Sequence, residues 1–107
     1  MTGFHYSVTA TLPDEATAQR FMAWLVEGHI ADVVEGGARS GHAIRLDSES
    51  GEIRIESRYL FPSREAYDAY CEGPALALRA EGVEKFGNAG VSFERRAGQI
   101  ALSVGTP

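Results

Sequence analysis

The spacing of apolar side chains changes period five times along this chain, and the order of these changes restricts the possible folds more than any other feature. Apolar and polar residues alternate over residues 4–12, 52–61 and 91–96, and less regularly over 41–47, which is typical of strands with one buried face. Apolar residues with helical spacing follow strand 4–12 and again strand 52–61. This order predicts an α+β domain with the ferredoxin-like βαββαβ arrangement, in which an antiparallel sheet carries two helices on one face.

Each of the two predicted helices contains residues that interrupt it. Pro13 favours the start of the first helix, because its fixed φ angle suits the first helical turn. Within that helix Gly28 disturbs the apolar stripe, so we expect either one long helix bent near Gly28 or two segments joined there. Ser63 is a suitable N-cap for the second helix, which Gly73 and Pro74 interrupt before it resumes.

The chain of 107 residues is expected to form one domain over residues 1–107, with a core at 4–96 and a tail or extra strand at 97–107. A domain of this size buries only about 65% of the surface of its unfolded chain, so its core is limited. Two helices on one face of the sheet leave the other face to water or to a second sheet. That face is predicted to carry mainly polar residues, namely His5, Ser7, Thr9, Arg54, Glu56, Arg58, Ser92, Glu94 and Arg96. We therefore expect a homodimer, because a two-fold interface needs only one self-complementary surface.

Composition and motif content argue against several classes of function. A net charge of −5 without a cluster of Lys and Arg does not favour nucleic-acid binding. No apolar run is long enough to span a membrane, and the first residues resemble no secretory signal, so a cytoplasmic protein is expected. Cys71 is the single cysteine, and His5, His29 and His42 lack the spacing of metal ligands, so we expect no disulfide and no metal site. Without a glycine-rich phosphate motif, no cofactor is predicted either.

His29 is the candidate catalytic residue. It follows the predicted helix break at Gly28, where an imidazole can reach a cleft between the helices and the sheet. Histidine titrates near neutral pH and is the commonest general acid or base. The structural alternative is that His29 fixes the end of the helix by bonding to a backbone carbonyl or to a carboxylate such as Asp32.

Aromatic residues provide a candidate ligand site. The side chains of Trp24, Tyr59 and Tyr67, together with Tyr70, can form a slot for a flat apolar ligand, whose orientation the hydroxyl groups would fix. The same spacing also suits an ordinary core between helices and a sheet. Ser57 is a small polar residue on the same predicted face as Tyr59 and leaves space there, which is either a pocket or filled by a neighbouring ring.

Charged residues are expected mainly at the surface. Arg79 and Glu81 are predicted to lie on the solvent side of the second helix or to contact a partner chain. The alternating charges on the polar face of the sheet suit cross-strand pairs at a dimer interface, each contributing about 0.2–1 kcal/mol. The alternative for that face is an anion-binding surface for a ligand with a carboxylate.

Several short motifs resemble an uncharacterised family. They are Trp24-Leu25 followed by His29-Ile30 and Val33, then Tyr67 and Tyr70, Pro74, Leu78-Arg79-Ala80-Glu81-Gly82, Lys85-Phe86-Gly87 and Arg95-Arg96. Over residues 4–96 this pattern is similar to a domain-of-unknown-function family of the dimeric α+β barrel superfamily. The resemblance implies a ferredoxin-like chain that pairs sheet against sheet. The superfamily also contains cofactor-independent monooxygenases of polyketide quinones, haem-degrading enzymes and muconolactone-type isomerases, so the shared fold alone does not identify an activity.

Two functional hypotheses follow. The first is a protein of unknown function whose homodimer binds a small apolar or aromatic ligand or serves in assembly, with His29 in a structural role. The alternative is a small cofactor-independent enzyme, monooxygenase-like or isomerase-like, acting on an aromatic or polyketide-like molecule. In that case His29 is the acid or base, and Trp24, Ser57, Tyr59 and Tyr67 contact the substrate. No second catalytic group is placed beside His29 by the sequence, which favours the first hypothesis.

Overall fold

Four strands form one antiparallel sheet in the order β2-β3-β1-β4. They are β1 (Phe4–Leu12), β2 (Ser40–Arg45), β3 (Ile53–Phe61) and β4 (Ser92–Gln99). The computed structural model describes residues 3–105, so the very start of the N-terminal segment and the last two residues of the predicted tail lie outside the described residues. Each of the three strand pairs is antiparallel, and the expected ferredoxin-like α+β fold is confirmed.

The first helical region is continuous but changes its hydrogen bonding along its length. It consists of α1 (Glu15–Trp24), a π-helical segment (Leu25–His29) and α2 (Ile30–Glu35). Asp14 caps α1 by accepting a hydrogen bond from the backbone N–H of Thr17 at 2.7 Å. In the π-helical segment the N–H of Ile30 bonds to the carbonyl of Leu25, five residues back. The irregularity expected near Gly28 is therefore a widened turn within one long helix.

The second helical region is two separate helices, α3 (Arg64–Glu72) and α4 (Pro74–Phe86). The Ser63 hydroxyl caps α3 by accepting from the N–H of Ala66 at 3.1 Å, as the sequence predicted. Gly73 separates the helices with a non-helical backbone, and Pro74 opens α4 where its missing N–H removes no hydrogen bond. None of the helices within residues 3–105 is both long enough and apolar enough to cross a membrane.

The core lies between the helices and one face of the sheet, and it has two parts. One cluster of buried side chains surrounds Phe61 and includes Tyr6, Tyr59 and Tyr70. The other includes Phe21, Leu25, Ala10, Ile55 and Phe86. In the sheet Tyr6 pairs with Tyr59 and Ala10 with Ile55, so both clusters use the same sheet face.

The opposite sheet face, which we call the outer face, carries paired charges. Ser7 pairs with Arg58 and Arg96, and Thr9 with Glu56 and Glu94, as the alternation predicted. Thr9 donates a hydrogen bond to Glu56 at 3.2 Å. Glu56 also forms an ion pair with Arg58, and Glu94 forms one with Arg96. The helices described within residues 3–105 pack on the other face of the sheet.

The last strand differs from the sequence expectation. β4 does not end at residue 96 but continues through Gly98 to Gln99, where Gln99 pairs with Phe4. The N–H of Ile100 then bonds to the carbonyl of Gly3 at 3.0 Å. Residues 100–105 form neither a helix nor a strand, so the extra strand considered for the tail is absent from the described part of it.

Candidate functional site

A cleft opens between the helices and the sheet where the two core clusters meet. The space between its walls, including the open mouth, is about 500 Å³, of which about 40 Å³ is accessible to the centres of water-sized molecules. This accessible volume corresponds to about three water molecules. Its walls are mainly apolar and come from every layer of the fold: Tyr6, Val8, Phe21, Trp24, Leu25, His29, Val33, Ser57, Tyr59, Tyr70, Leu78, Arg79, Gly82, Val83, Phe93 and Arg95.

Four of the five site residues expected from the sequence line this cleft. Trp24, His29, Ser57 and Tyr59 are brought together there, although they come from the first helical region and from β3. Tyr67 is not among the lining residues. Its ring packs instead in the core, 4.9 Å from that of Phe4 and 5.3 Å from that of Phe61 between centroids.

The π-helical segment explains how Trp24 and His29 meet. Residues five apart do not share a face of an α-helix, but hydrogen bonding from i to i+5 brings them onto neighbouring positions. The two rings are stacked with centroids 4.0 Å apart and an interplanar angle of 22°. A hydrogen bond at the edge of the ring fixes Trp24: its indole Nε1 donates to Glu81 Oε1 at 2.8 Å. The imidazole is therefore positioned by an aromatic neighbour that is itself anchored.

Tyr59 and Ser57 reach the cleft because they alternate onto the inner face of β3. Opposite Tyr59 in the sheet is Gly41 on β2. A Cβ atom at Gly41 would lie 2.7 Å from Cδ1 of Tyr59, which is a steric clash. The glycine thus leaves the space that the Tyr59 ring occupies.

Arg79 is placed differently from the sequence expectation. It does not lie on the solvent side of its helix but is half-buried and lines the cleft. Its Nη2 atom donates to Tyr6 Oη at 3.5 Å and approaches Cys71 Sγ at 3.9 Å. Ala75, Arg79 and Gly82 lie on one face of α4 by their helical spacing. Because Ala75 and Gly82 are buried, this spacing was the sequence signal that Arg79 faces the core.

Arg95 is a second cationic residue that the sequence analysis did not select. It pairs with Val8 in the sheet and so belongs to the inner face of β4. Arg95 is exposed, and Val83 on α4, which also lines the cleft, is 62% exposed. These two residues mark the mouth of the cleft, between α4 and β4.

Three polar atoms in this region are buried without a hydrogen-bond partner: His29 Nδ1, Tyr59 Oη and Arg79 Nε. A fourth such atom in residues 3–105, Arg54 Nε, belongs to a residue on the outer face. Most buried polar groups in folded proteins are paired, and an unpaired one is destabilising by about 1–3 kcal/mol. All three residues line the same cleft, so a polar group that enters it, from water or a ligand, is suited to pair with them.

Burial favours the neutral forms of His29, Tyr59 and Tyr70 in this region. Burial raises the pKa of Tyr59 to about 12. Burial also raises the pKa of Tyr70 and of Tyr67. For His29 burial lowers the pKa below its ordinary value of 6.5, opposed by the negative charge of Glu81 and of Asp32. The phenols can donate hydrogen bonds, and the imidazole can accept a proton.

This pKa shift predicts a pH dependence of stability. The unfolded chain takes up a proton at His29 at a higher pH than the folded chain does, so the free energy of unfolding should fall as the pH drops below 6.5 and level off below the folded pKa. Urea denaturation at pH 7.5 and 5.5 should show a smaller loss for His29→Gln than for the unmodified chain. His42→Gln, which removes an exposed imidazole, should keep the full loss. Equal losses for all three proteins would contradict the prediction.

The cleft offers no grouping typical of a metal site. Within residues 3–105, three or more His, Cys, Asp or Glu side chains are nowhere close enough together to hold a metal ion. The groups that the cleft does present to a bound molecule are hydroxyls, one imidazole and two guanidinium groups, on an apolar surface.

Comparisons with known proteins agree with the fold. The model of a family described as a domain of unknown function (DUF4286) matches residues 4–100. No curated protein matches the chain. The fold is similar to that of a dimeric ferredoxin-like protein from an uncultured marine organism, with a TM-score of 0.77, 16% identity, and 98% of this chain and 100% of that chain covered.

Two further solved structures share the fold at low identity. A putative antibiotic biosynthesis monooxygenase from Bacillus cereus has a TM-score of 0.67 and 12% identity, covering 99% of this chain and 100% of that one. SnoaB, a cofactor-independent oxygenase from Streptomyces nogalater, has a TM-score of 0.68 and 8% identity, covering 95% and 96%. At such identities these similarities show the fold alone.

Proposed function

The chain belongs to the DUF4286 family, whose function is unknown, and from that premise we propose that it is a homodimeric domain that binds a small ligand in the cleft between the helices and the sheet. The family assignment confirms the resemblance noted in the sequence. The proposal includes the cytoplasmic location expected from the sequence, with which the free thiol of Cys71 is compatible.

The observation that supports ligand binding is that three residues lining one cleft each have a buried polar atom without a hydrogen-bond partner: His29 Nδ1, Tyr59 Oη and Arg79 Nε. A monomer's core gains nothing from such groups, because each loses its hydration without replacement. A bound molecule with complementary polar atoms recovers these interactions. Ordered water can pair with the same groups, and a ligand with suitable polar atoms can then displace that water.

The remaining walls suit an apolar or aromatic body. Phe21, Leu25, Val33 and Phe93 face the cleft along with the Trp24 ring. Ligand sites typically combine such walls with a few polar groups that fix orientation. The accessible volume of the cleft, about 40 Å³, is smaller than an aromatic ring needs, so a ligand of that kind displaces side chains when it binds.

The homodimer in this proposal is supported by the outer face. It presents ion pairs that run along single strands, Glu56 with Arg58 on β3 and Glu94 with Arg96 on β4, and both core clusters within residues 3–105 lie on the other side of the sheet. Solved structures with this fold include proteins described as dimeric. A second copy placed sheet against sheet leaves the mouth of the cleft, between α4 and β4, on the other side of the sheet.

Blocking the mouth tests the binding site. Trp24 is the single tryptophan and lines the cleft, so its indole N–H gives one NMR signal that reports on occupancy. We expect 1-naphthol to shift this signal saturably, and Val83→Phe to weaken the binding several-fold by narrowing the mouth. Val26→Phe adds the same ring at another exposed helical valine, outside the cleft, and should bind 1-naphthol like the unmodified chain.

An unsaturable response of the Trp24 signal, or equal binding by the two phenylalanine variants, would contradict the proposed site. Circular dichroism spectra identical to that of the unmodified chain would show that both variants are folded.

The enzyme alternative has one observation in its favour. His29 is neutral, its Nδ1 is unpaired, and it shares the cleft with the Tyr59 hydroxyl, so a proton acceptor and a proton donor flank the same space. A small cofactor-independent monooxygenase or isomerase acting on an aromatic or polyketide-like molecule would use such a pair. With an oxidisable naphthol, oxygen consumption that His29→Gln abolishes without weakening binding would favour the enzyme. A loss of stability alone would favour the structural role.

A further inference from the structure

We propose that the ligand of this cleft is an organic anion, whose carboxylate or equivalent planar oxyanion is bound by Arg79 and Tyr59. The inference rests on the proposed function, because it names the chemical class of molecule that the same cleft accepts. Three features support it: the charges lining the cleft, the surroundings of the Arg79 guanidinium, and the unpaired Tyr59 hydroxyl.

The cleft is positively charged in a negatively charged protein. The chain has 15 acidic and 10 basic residues, yet the cleft is lined by Arg79 and Arg95 and by no Asp or Glu. Within residues 3–105 the arginines in ion pairs are Arg45, Arg58, Arg64 and Arg96. The two arginines of the cleft form no ion pair in this part of the chain. Their charges favour an anion beside Arg79 and Arg95, while the negative charges of Glu81 and Asp32 act on the His29 side of the cleft.

The guanidinium of Arg79 is surrounded by neutral groups only. Its Nη2 contacts are the Tyr6 hydroxyl at the long distance of 3.5 Å and the Cys71 sulfur at 3.9 Å. Its Nε is buried and has no partner. A half-buried charge without a counter-ion is unfavourable, and the planar fork of a guanidinium fits a carboxylate through two parallel hydrogen bonds. The missing partner is therefore an oxyanion.

Tyr59 supplies the second donor. Its side chain is 2% exposed, its hydroxyl has no partner, and burial keeps the phenol protonated. A buried hydroxyl that stays protonated can donate to an oxyanion, and hydrogen bonds to a charged acceptor are about twice as strong as those between neutral groups. The Tyr59 ring is stacked on Tyr6, at a centroid distance of 5.7 Å, which holds it beside the residue that Arg79 contacts.

Benzoate and benzamide provide the test, because they have nearly the same shape and differ in charge. Both are titrated into the unmodified protein while the Trp24 indole signal and the other cleft signals are followed by NMR. We expect benzoate to bind about tenfold or more tightly than benzamide, since it gains a charge-assisted interaction. Raising the salt concentration should reduce this difference, because Arg79 is only half-buried and Arg95 is exposed, so salt screens part of their charge.

Arginine variants then locate the interaction. Arg79→Gln should weaken benzoate about tenfold and leave benzamide nearly unchanged, so that the preference disappears, while Arg79→Lys should keep part of it. Arg64→Gln is the matched control: it removes the same charge from an exposed site on α3 and should retain the full preference.

Equal binding of benzoate and benzamide to the unmodified protein would overturn the inference and leave the proposed ligand site standing. A preference for benzoate that survives in Arg79→Gln would also overturn it, because the anion would then be bound elsewhere. If neither probe nor 1-naphthol shifts the cleft signals at millimolar concentration, the proposed function fails and the inference fails with it. Circular dichroism shows whether Arg79→Gln is folded, and the comparison in the unmodified protein requires no variant.

Discussion

The variant Thr9→Arg should elute as a single chain of 11.5 kDa, whereas the unmodified protein should elute with about twice that mass. Thr9 lies on β1, one of the two inner strands of the sheet, and faces the uncovered outer face. A two-fold axis through a sheet-to-sheet interface brings each copy of a central residue close to its symmetry mate. Two added guanidinium groups would then meet in a space that two threonines filled, with both a steric and an electrostatic penalty.

The substitution should not harm the single chain. Thr9 is paired in the sheet with Glu56 on one side and Glu94 on the other, so an arginine there gains two carboxylate neighbours. Opposite charges on neighbouring strands stabilise a sheet by about 0.2–1 kcal/mol per pair. The expected loss is therefore one of association, not of folding.

Light scattering after size exclusion measures both masses, and Ser50→Arg is the control. Ser50 lies in the exposed segment between β2 and β3, so the same substitution adds the same charge away from the outer face. It should leave the dimer intact. A single-chain mass for the unmodified protein at micromolar concentration would refute the dimer, and an intact Thr9→Arg dimer would place the interface on another surface.

Leu25→Ala is expected to lower the free energy of unfolding by about 2 to 5 kcal/mol. Leu25 is 1% exposed and is one of the largest fully buried side chains, packed in the cluster with Phe21 and Ile55. The truncation removes apolar contacts and leaves a void that the neighbours fill only in part. Small domains have about 5–15 kcal/mol of stability, so a loss of this size should lower the melting temperature by about 10 °C or more.

The matched control is Leu76→Ala, the same substitution at a helical leucine that is 65% exposed. It should change the free energy of unfolding by less than about 0.5 kcal/mol. Chemical denaturation of the three proteins gives the comparison. Since Leu25 lines the cleft, its removal also enlarges the space available to a ligand. If Leu25→Ala lowers the free energy of unfolding by less than about 1 kcal/mol, the neighbouring side chains have closed the void, and the packing around Leu25 is not rigid.

The sheet was the part of the fold that local patterns predicted well. Alternation placed β1 and β3 almost to the residue, because period-two spacing leaves only one way to bury one face. The caps were local too: the Ser63 hydroxyl bonds within its own turn. β4 was the exception. Its last residues, including Gly98, have no alternation of their own and are strand because they pair with β1.

The candidate site was predicted only in part, and the reasons are geometrical. Trp24 and His29 were selected separately, but their stacking depends on a π-helical turn that α-helical spacing does not anticipate. Tyr67 was selected because it is aromatic, yet the direction of its helix sends it into the core cluster instead. Arg79 was assigned to solvent because charged residues are rarely buried without a partner. Its buried, unpaired Nε is therefore unusual, and this is why its position points to a ligand.

By itself the sequence determined the order of elements, the composition of both sheet faces and the family resemblance, because each depends on neighbours along the chain. The tertiary structure decided which side chains share the cleft, since these come from β1, β3, β4 and both helical regions and meet only when the helices pack on the sheet. It also decided that one buried polar atom of each of His29, Tyr59 and Arg79 (Nδ1, Oη and Nε) has no hydrogen-bond partner. An unsatisfied hydrogen bond is a property of three-dimensional surroundings, and no local pattern of residues encodes it.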